Sequence, residues 1–217
     1  MTDRSHRQVH LPMLLRGRIL QMFAALERVG GTPVDTKTFH AFAFFTNVLS
    51  PVWGFEPLEG SVLKEEGAPY FPTLQHELDR LVGERFVVVH SLRVNDGVGL
   101  EATFRLDSER ARPVLDALAS LPDQVGVVDF LTELADAFAE IDVDRRDDAA
   151  AEDASYSDPA ISRGRVVDFG EWRSSTDDNP AWVAAEAFQD YMPEGVTLDR
   201  AEKINFYMQL MKKRAHG

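Results

Sequence analysis

Three acidic side chains in the last third of the sequence are of the type that metal chemistry needs. Asp158, Asp168 and Glu171 can together ligate Mg²⁺, which would activate water for attack on a phosphodiester. Nuclease sites of this kind also place a lysine beside the metal, whereas Glu171 is followed by Trp172 and Arg173. The pattern therefore favours helix caps and solvated charge, and a metal-dependent nuclease using Asp158 and Asp168 is an alternative.

The other residue types that support catalysis show no suitable arrangement. The chain has no cysteine, which excludes a disulfide, a thiolate nucleophile and a thiolate metal site. It has no G-x-S-x-G turn and no G-x-x-x-x-G-K-[ST] phosphate loop. The histidines include no zincin-like pair, since His6 and His10, although four residues apart, lie in a polar stretch. We therefore predict a protein that is not an enzyme and that uses no cofactor or metal.

The composition is that of a folded acidic protein. Of 217 residues, 44% are apolar and 27% are charged, and the net charge is −13. Phosphate binding requires lysine and arginine, so this charge opposes general affinity for nucleic acid or an anionic membrane. No apolar run approaches the roughly 20 residues that span a bilayer, and Met1 to His10 lacks the apolar region of a secretory signal. We expect a cytoplasmic protein without a membrane partner.

The elements that would position a site are clearest in residues 70–106. Pro72 suits a first helical turn, and the apolar residues after it recur at the spacing of one helical face. Those residues are Leu74, Leu78, Leu81 and Val82. We predict a helix with Gly83 as its left-handed stop, followed by a β-hairpin that turns at residues 95–97, Asn-Asp-Gly. Alternating apolar and polar residues over 100–106 direct one hairpin face to the core.

Two apolar helical segments precede this one. The first is a stripe within residues 11–29. The second is a phenylalanine-rich segment after Asp35 that is apolar nearly all round, which predicts a central position in the core, and Ser50-Pro51 ends it. The order helix, helix, helix, hairpin is that of a winged helix, and Ser61 to Lys64 would add the third strand of its sheet. The predicted fold class is mixed α/β and mainly helical, with an N-terminal winged helix (helices plus a β-hairpin) and a small C-terminal helical unit.

A winged helix binds DNA or another protein, and the outward residues of its third helix distinguish the two. Here they form a neutral to acidic face, and carboxylates repel phosphate. They are Gln75, His76, Glu77, Asp79 and Arg80. The hairpin turn at residues 95–97 has no lysine or arginine either. We therefore predict a protein-docking module, with a winged-helix DNA-binding regulator as the alternative.

The composition changes after residue 141. Residues 142–155 are mostly Asp, Glu, Ala and Arg, which predicts a flexible acidic linker. We expect a winged-helix domain with its following helices over residues 1–141 and a C-terminal helical unit over residues 156–217. The elements predicted in that unit are a short strand and two helices, at Val166 to Phe169, from Asn179-Pro180 onward, and at residues 198–214.

Aromatic and methionine side chains of the C-terminal unit have two interpretations. They form its core, or they anchor a partner, because Trp, Tyr and Met are enriched at binding surfaces. A unit this small cannot easily bury all of them, and the loop after the second helix adds further aromatic side chains. The candidate partner-binding residues are Trp53, Phe55, Trp172, Trp182, Tyr191, Phe206 and Tyr207.

Three segments of the chain are similar to a known family when taken in order. They are Asn47 to Pro51; Tyr70-Phe71-Pro72 with the apolar stripe that follows; and Tyr156 to Pro159 followed by Val166 to Phe169. In these segments the chain resembles the middle component of bacterial ABC-three-component systems. The best-known group is Lamassu-type (Ddm-type) antiphage and plasmid defence.

The resemblance implies a non-enzymatic adaptor subunit. Such a subunit bridges an SMC-like ATPase, which senses abnormal DNA, and an effector, typically a nuclease, which it holds inactive until sensing occurs. DNA would then be contacted only indirectly, through the complex. The resemblance implies no catalytic, cofactor-binding or metal-binding residue in this sequence.

Overall fold

The computed structural model describes residues 3–58, 61–64, 69–95, 99–154, 156–157, 162–168 and 179–217; the side chains of residues 3–11, 95, 99 and 168 lie outside that description. The chain is mainly helical, with small antiparallel sheets. The helices are α1 (Asp3–Arg28), α2 (Thr36–Trp53), α3 (Pro72–Gly83), α4 (Ser108–Ala119), α5 (Pro122–Ala139), α6 (Arg146–Ala151), α7 (Pro180–Ala187) and α8 (Arg200–Ala215). The strands are β1 (Val34–Asp35), β2 (Ser61–Lys64), β3 (Pro69–Tyr70), β4 (Val87–Asn95), β5 (Gly99–Leu106) and β6 (Val166–Asp168). Short 3-10 helices cover Val143–Arg145 and Phe188–Tyr191.

The chain forms two compact units that alternate along the sequence. Unit 1 consists of Met1–Thr36 and Pro72–Val128, and unit 2 consists of Lys37–Phe71 and Asp129–Gly217. This division differs from the predicted one, which placed the boundary at residues 142–155. A compact unit consists of the segments that pack together, and these segments can be far apart in sequence. A change in composition along the chain therefore does not reveal which segments pack together.

The predicted hairpin is present in unit 1. Strands β4 and β5 pair antiparallel, with Val87 opposite Leu106, and both side chains are buried. The third strand of the sheet is β1, where Val34 pairs with Phe104. The sheet order is therefore β1-β5-β4. The inner end of this sheet, which holds Val34, Val87, Phe104 and Leu106, is apolar and buried.

The strand predicted at Ser61 to Lys64 is present as β2, but it does not belong to the hairpin sheet. It pairs antiparallel with β3 and with β6 in unit 2, in the order β3-β2-β6. The strand that completes the hairpin sheet, β1, has only two residues, which is too short for a periodic signal in the sequence. Asp96 and Gly97 of the predicted turn lie outside the described residues.

Helix α1 packs against α3 and α4 within unit 1. The Ser108 hydroxyl donates to Oε2 of Glu27 over 3.0 Å. Ten residues earlier in α1, a Cβ on Gly17 would lie 3.2 Å from Cδ1 of Leu118. These two contacts show that α1 and α4 run antiparallel, and that they approach closely enough at Gly17 for a larger residue to displace Leu118.

Helix α3 ends at the predicted position but with a different residue in the left-handed conformation. The helix includes Gly83, and Arg85 has the positive φ, 62°. The amide of Phe86 donates to the carbonyl of Leu81 over 2.9 Å, which closes the end of the helix. That bond requires the left-handed residue directly before Phe86, so the position falls on Arg85 and not on Gly83.

Helix α2 is buried along nearly its whole length, as its apolar pattern predicts. In unit 2 the rings of Phe42 and Phe45 pack on Phe138, with centroid distances of 5.2 and 6.1 Å. Nδ1 of His40 accepts a hydrogen bond from the amide of Phe71 over 3.0 Å. His40 is therefore a hydrogen-bonded core residue.

The predicted end of α2 at Ser50-Pro51 is wrong, because the helix continues to Trp53. Proline removes one hydrogen bond to the carbonyl four residues earlier, here that of Asn47. The Ser50 hydroxyl donates to that carbonyl over 2.9 Å instead. The serine before the proline thus replaces the bond whose loss would end the helix.

The acidic segment predicted as a linker is folded over residues 143–151. It forms a 3-10 turn and α6, and two alanines of α6 are fully buried. Arg146 is buried as well, with Nε donating to the carbonyl of Ile141 over 3.2 Å and its guanidinium 5.1 Å from the ring centroid of Phe138. The first turn of α6 holds its carboxylates, where the helix dipole favours negative charge. The acidic composition therefore marks a helix N-terminus here.

Candidate protein-docking surface

Exposed aromatic side chains of unit 2 lie on the segment after α7 and on α8. Phe188 and Phe206 pack with ring centroids 5.6 Å apart, and Phe206 is 41% exposed. Tyr191 is 81% exposed and follows Phe188 by three residues in a 3-10 helix, where such side chains lie on the same side. We name Phe188, Tyr191 and Phe206 the aromatic surface. Phe188 itself is half-buried. Contact between apolar area and water costs free energy, so the exposed area of Tyr191 and Phe206 makes this surface a candidate contact site.

One amide side chain positions the start of α7. Oδ1 of Asn179 accepts hydrogen bonds from the amides of Ala181 (3.0 Å) and Trp182 (3.2 Å). Its Nδ2 donates to the carbonyl of Val48 in α2 over 2.8 Å. Because Asn179 is fully buried, it both caps α7 and joins this helix to the core of unit 2.

We expect Asn179→Ala to lower the free energy of unfolding by about 2 kcal/mol, because it removes a helix cap and a buried hydrogen bond together. Urea unfolding followed by circular dichroism measures the change. Asn205→Ala is the matched control, since Asn205 is exposed and donates only to the carbonyl of Ala201 on its own helix. The control should stay within about 0.5 kcal/mol of the unmutated chain. Equal effects of the two substitutions would contradict the role assigned to Asn179.

Side chains also hold the connection between α7 and α8. Nε2 of Gln189 donates to the carbonyl of Val196, and its Oε1 accepts from the amide of Leu198, both over 2.8 Å. Lys203 of α8 pairs with Glu186 of α7 over 2.6 Å. A capping box starts α8. The aromatic surface is therefore presented by elements that are bonded to one another.

Tyr207, predicted as a partner-binding residue, lies in the core of unit 2 instead. It is 2% exposed, and its hydroxyl donates to the carboxylate of Asp153, which is fully buried. Burial and then the charge and hydrogen bond of Asp153 raise the pKa of Tyr207 well above its ordinary value, while Arg214 acts in the opposite sense. Adjacent residues of a helix differ by about 100° in direction, so Phe206 faces outward where Tyr207 faces inward.

The other predicted partner-binding residues are divided in the structure. Trp53 and Phe55 are half-buried and pack on Phe130, with ring centroids 5.9 and 6.2 Å from it. Trp182 is half-buried in the first turn of α7. Trp172 lies outside the described residues. Trp53 and Phe55 thus form a pair on one core residue, separate in sequence from the aromatic surface.

Arg16 of α1 and Arg80 of α3 are paired with carboxylates of α3 and of the residue that follows it. Nε of Arg16 lies 3.1 Å from Oε2 of Glu77, and its Nη1 lies 3.2 Å from Oε1 of Glu84. Nη1 of Arg80 lies 3.8 Å from Oε1 of Glu77. Glu77, predicted to face outward, is 3% exposed, because its position falls on the inward apolar stripe of α3. These pairs reduce the positive charge that α3 could offer to phosphate.

The outer half of the hairpin exposes apolar side chains in unit 1. Leu92 pairs with Ala102 and Val94 pairs with Leu100, so these side chains share one face of the sheet. Leu92, Val94 and Leu100 are each more than half exposed. We name these three residues the hairpin surface. The predicted core face of the hairpin is therefore buried only at its inner end, and the sequence pattern did not reveal where burial stops.

Nothing in the described part of the chain resembles a metal centre. Among those residues, no three His, Asp or Glu side chains lie close enough together to hold a metal ion. Asp158 and Glu171 lie outside the described residues. Asp168 ends strand β6, but its side chain is outside the description as well. The side chains of all three predicted metal ligands therefore lie outside the described part of the chain.

Comparison with known proteins found no match for this chain among family models, curated proteins or solved structures. None of the helices that the structure describes combines the length and the apolar character that crossing a bilayer requires. Function must therefore be argued from the surfaces and contacts of this chain.

Proposed function

We propose that this chain is a non-enzymatic adaptor subunit of a bacterial ABC-three-component, Lamassu-type defence complex, which bridges an SMC-like ATPase and an effector nuclease. The kind of complex is what the resemblance of the three sequence segments implies, and the observation that supports the adaptor role is that each of the two compact units exposes an apolar surface of its own. A bridging subunit needs one contact surface for each partner. In this proposal the protein acts in the cytoplasm and meets DNA only through the complex.

The chain order and sheet order of unit 1 support a docking module built on the hairpin. The elements of this unit from α1 to β5 are helix α1, strand β1, helix α3 and strands β4 and β5, whereas α2, the second helix of the predicted winged helix, belongs to unit 2. The first strand pairs with the last, which gives the order β1-β5-β4. A hairpin that presents Leu92, Val94 and Leu100 to water fits an apolar partner surface better than a phosphate backbone.

Co-expression with the products of the neighbouring genes tests the adaptor role. We expect the tagged chain to retain both an ATPase and an effector. The double variant Tyr191→Ser with Phe206→Ser should lose one partner by at least about 10-fold and keep the other, since a lost apolar anchor costs about 1–3 kcal/mol at an interface. The double variant Leu92→Ser with Val94→Ser should lose the opposite partner.

Both double variants replace exposed residues, so each should lower Tm by no more than about 6 °C, the shift that loss of the Phe188–Phe206 ring contact could cause by itself. That measurement separates a lost contact from a lost fold. A stable chain that retains neither neighbouring product would refute the adaptor role. Retention of both partners by both variants would refute only the assignment of these two surfaces.

A DNA-binding regulator is the second candidate, and one observation favours it. Arg93 and Arg105 are exposed on β4 and β5, on the face opposite the hairpin surface. Two such cations on a wing can contact phosphate. This candidate predicts that the chain binds the promoter DNA of its own operon in a mobility-shift assay. The binding should weaken steeply between about 50 and about 200 mM salt, because contacts with phosphate are lost over that range. An absence of any shift at the lower salt would remove it.

A further inference from the structure

Arg18 of helix α1 is buried without a partner among the described residues. It is 9% exposed, and its Nε makes no hydrogen bond there. Burial lowers the pKa of Arg18 to about 10, which still leaves the guanidinium charged at neutral pH. A buried charge that lacks a counter-charge is costly to the fold. Such a residue is explained when another molecule supplies the counter-charge.

Helix geometry places Arg18 on the same face of α1 as an exposed apolar residue. Residues four apart on a helix are neighbours on its surface, so Arg18 shares a face with Leu14. Leu14 is 51% exposed. An exposed apolar residue and the buried charge therefore lie one turn apart on one face of α1.

The end of α4 and the start of α5 extend this face within unit 1. Because α1 and α4 run antiparallel with Gly17 against Leu118, Leu14 lies at the same end as Leu121. Gln21 donates to Gln124 over 3.4 Å, which brings the start of α5 to α1. The four residues that we name the Arg18 face are Leu14, Arg18, Leu121 and Val125, and its three apolar members are each more than half exposed.

We infer that the Arg18 face docks a segment of a partner subunit in which a carboxylate lies among apolar residues. The carboxylate would accept hydrogen bonds from the two outer nitrogens of the guanidinium, Nη1 and Nη2, because Nε is buried, and the apolar side chains would cover Leu14, Leu121 and Val125. A small free anion fits less well, because it would leave those three residues in water. The inference rests on the proposed adaptor function, since it specifies the chemistry of one of the two partners.

Two variants test the pairing by opposite means. Arg18→Met removes the charge at similar length, and it should raise Tm by about 2–4 °C in the isolated chain while reducing partner retention at least about 10-fold. Leu14→Glu places a carboxylate one turn before Arg18 on the same helix, at the spacing of a stabilising pair. It should leave Tm equal or higher and also block the partner. Arg28→Met, which removes an exposed arginine of α1, is the control for both measurements.

The full-length chain co-expressed with its neighbouring gene products provides the partner in each case. Loss of one partner by both variants, with Tm equal or raised, supports the inference. Retention of that partner by either variant overturns it, as does a fall of several degrees in Tm for Arg18→Met, which would mean that the chain itself satisfies the charge. If the unmutated chain retains neither product, the adaptor function and this inference fall together; if it retains both and the variants do too, only the inference falls.

Discussion

Replacing Phe138 with alanine is expected to lower the free energy of unfolding by about 3–5 kcal/mol, the largest effect of any single substitution proposed for this chain. Phe138 is fully buried in unit 2 between Phe42 and Phe45. The guanidinium of Arg146 lies over the same ring, so alanine would leave a cavity beneath a buried charge. Urea unfolding followed by tryptophan fluorescence and by circular dichroism measures the loss.

Phe206→Ala is the matched control for Phe138→Ala. It removes the same side chain from the same unit, but Phe206 is exposed and packs on Phe188 alone among the described ring contacts. Its cost should not exceed about 1.5 kcal/mol, the value of one aromatic pair. If the two substitutions cost the same, the core of unit 2 does not lie where the structure places it.

The second large effect concerns the buried pair of Tyr207 and Asp153. Tyr207→Phe keeps the ring and removes the hydroxyl that donates to the Asp153 carboxylate. We expect a loss of about 1–3 kcal/mol at pH 8, because a fully buried carboxylate gives up one of its hydrogen bonds. Tyr191→Phe removes a hydroxyl from an exposed tyrosine and should change the free energy by less than about 0.5 kcal/mol at the same pH.

The same pair predicts a dependence on alkaline pH. The pKa of Tyr207 is raised in the folded chain, so above the ordinary tyrosine value of about 10 the unfolded chain releases this proton while the folded chain keeps it. The contribution of this hydroxyl to the free energy of unfolding is therefore fully present below about pH 10. It falls by up to about 1.4 kcal/mol per pH unit as pH rises toward the pKa of Tyr207 in the folded chain. The advantage of the unmutated chain over Tyr207→Phe should narrow between about pH 10 and pH 11. A constant difference across that range would show that the hydroxyl is not held protonated.

Local patterns in the sequence predicted several elements at their observed positions. Helix α3 follows from Pro72 and an apolar stripe, and it was found at Pro72–Gly83. The hairpin follows from a β-branched run before the turn and alternating apolar and polar residues after it, and strand β6 follows from Val166 and Val167. These signals are local, because helix periodicity and turn chemistry are properties of consecutive residues.

Other features needed the contacts between distant segments. Composition could not distinguish α6 from a linker until its alanines were seen to pack. The inward side of α8 does follow from spacing, because Ile204, Tyr207, Met208 and Met211 recur on one helical face and are buried. The sequence could not place Asp153, the buried carboxylate that accepts a hydrogen bond from the Tyr207 hydroxyl, beside this helix. Phe188 was not predicted as part of the aromatic surface either, because its packing on Phe206 is a contact between two separate segments.

Patterns of consecutive residues are enough to predict an acidic, cysteine-free chain with amphipathic helices and the β4–β5 hairpin. The fold was needed to show that β1 completes the hairpin sheet, that two units alternate along the chain, and that Arg18 is buried. Burial and strand pairing could not be predicted because they depend on residues that are far apart in sequence. The type of a side chain limits the interactions that it can make. Its surroundings in the fold decide whether it faces the core, another segment or a partner.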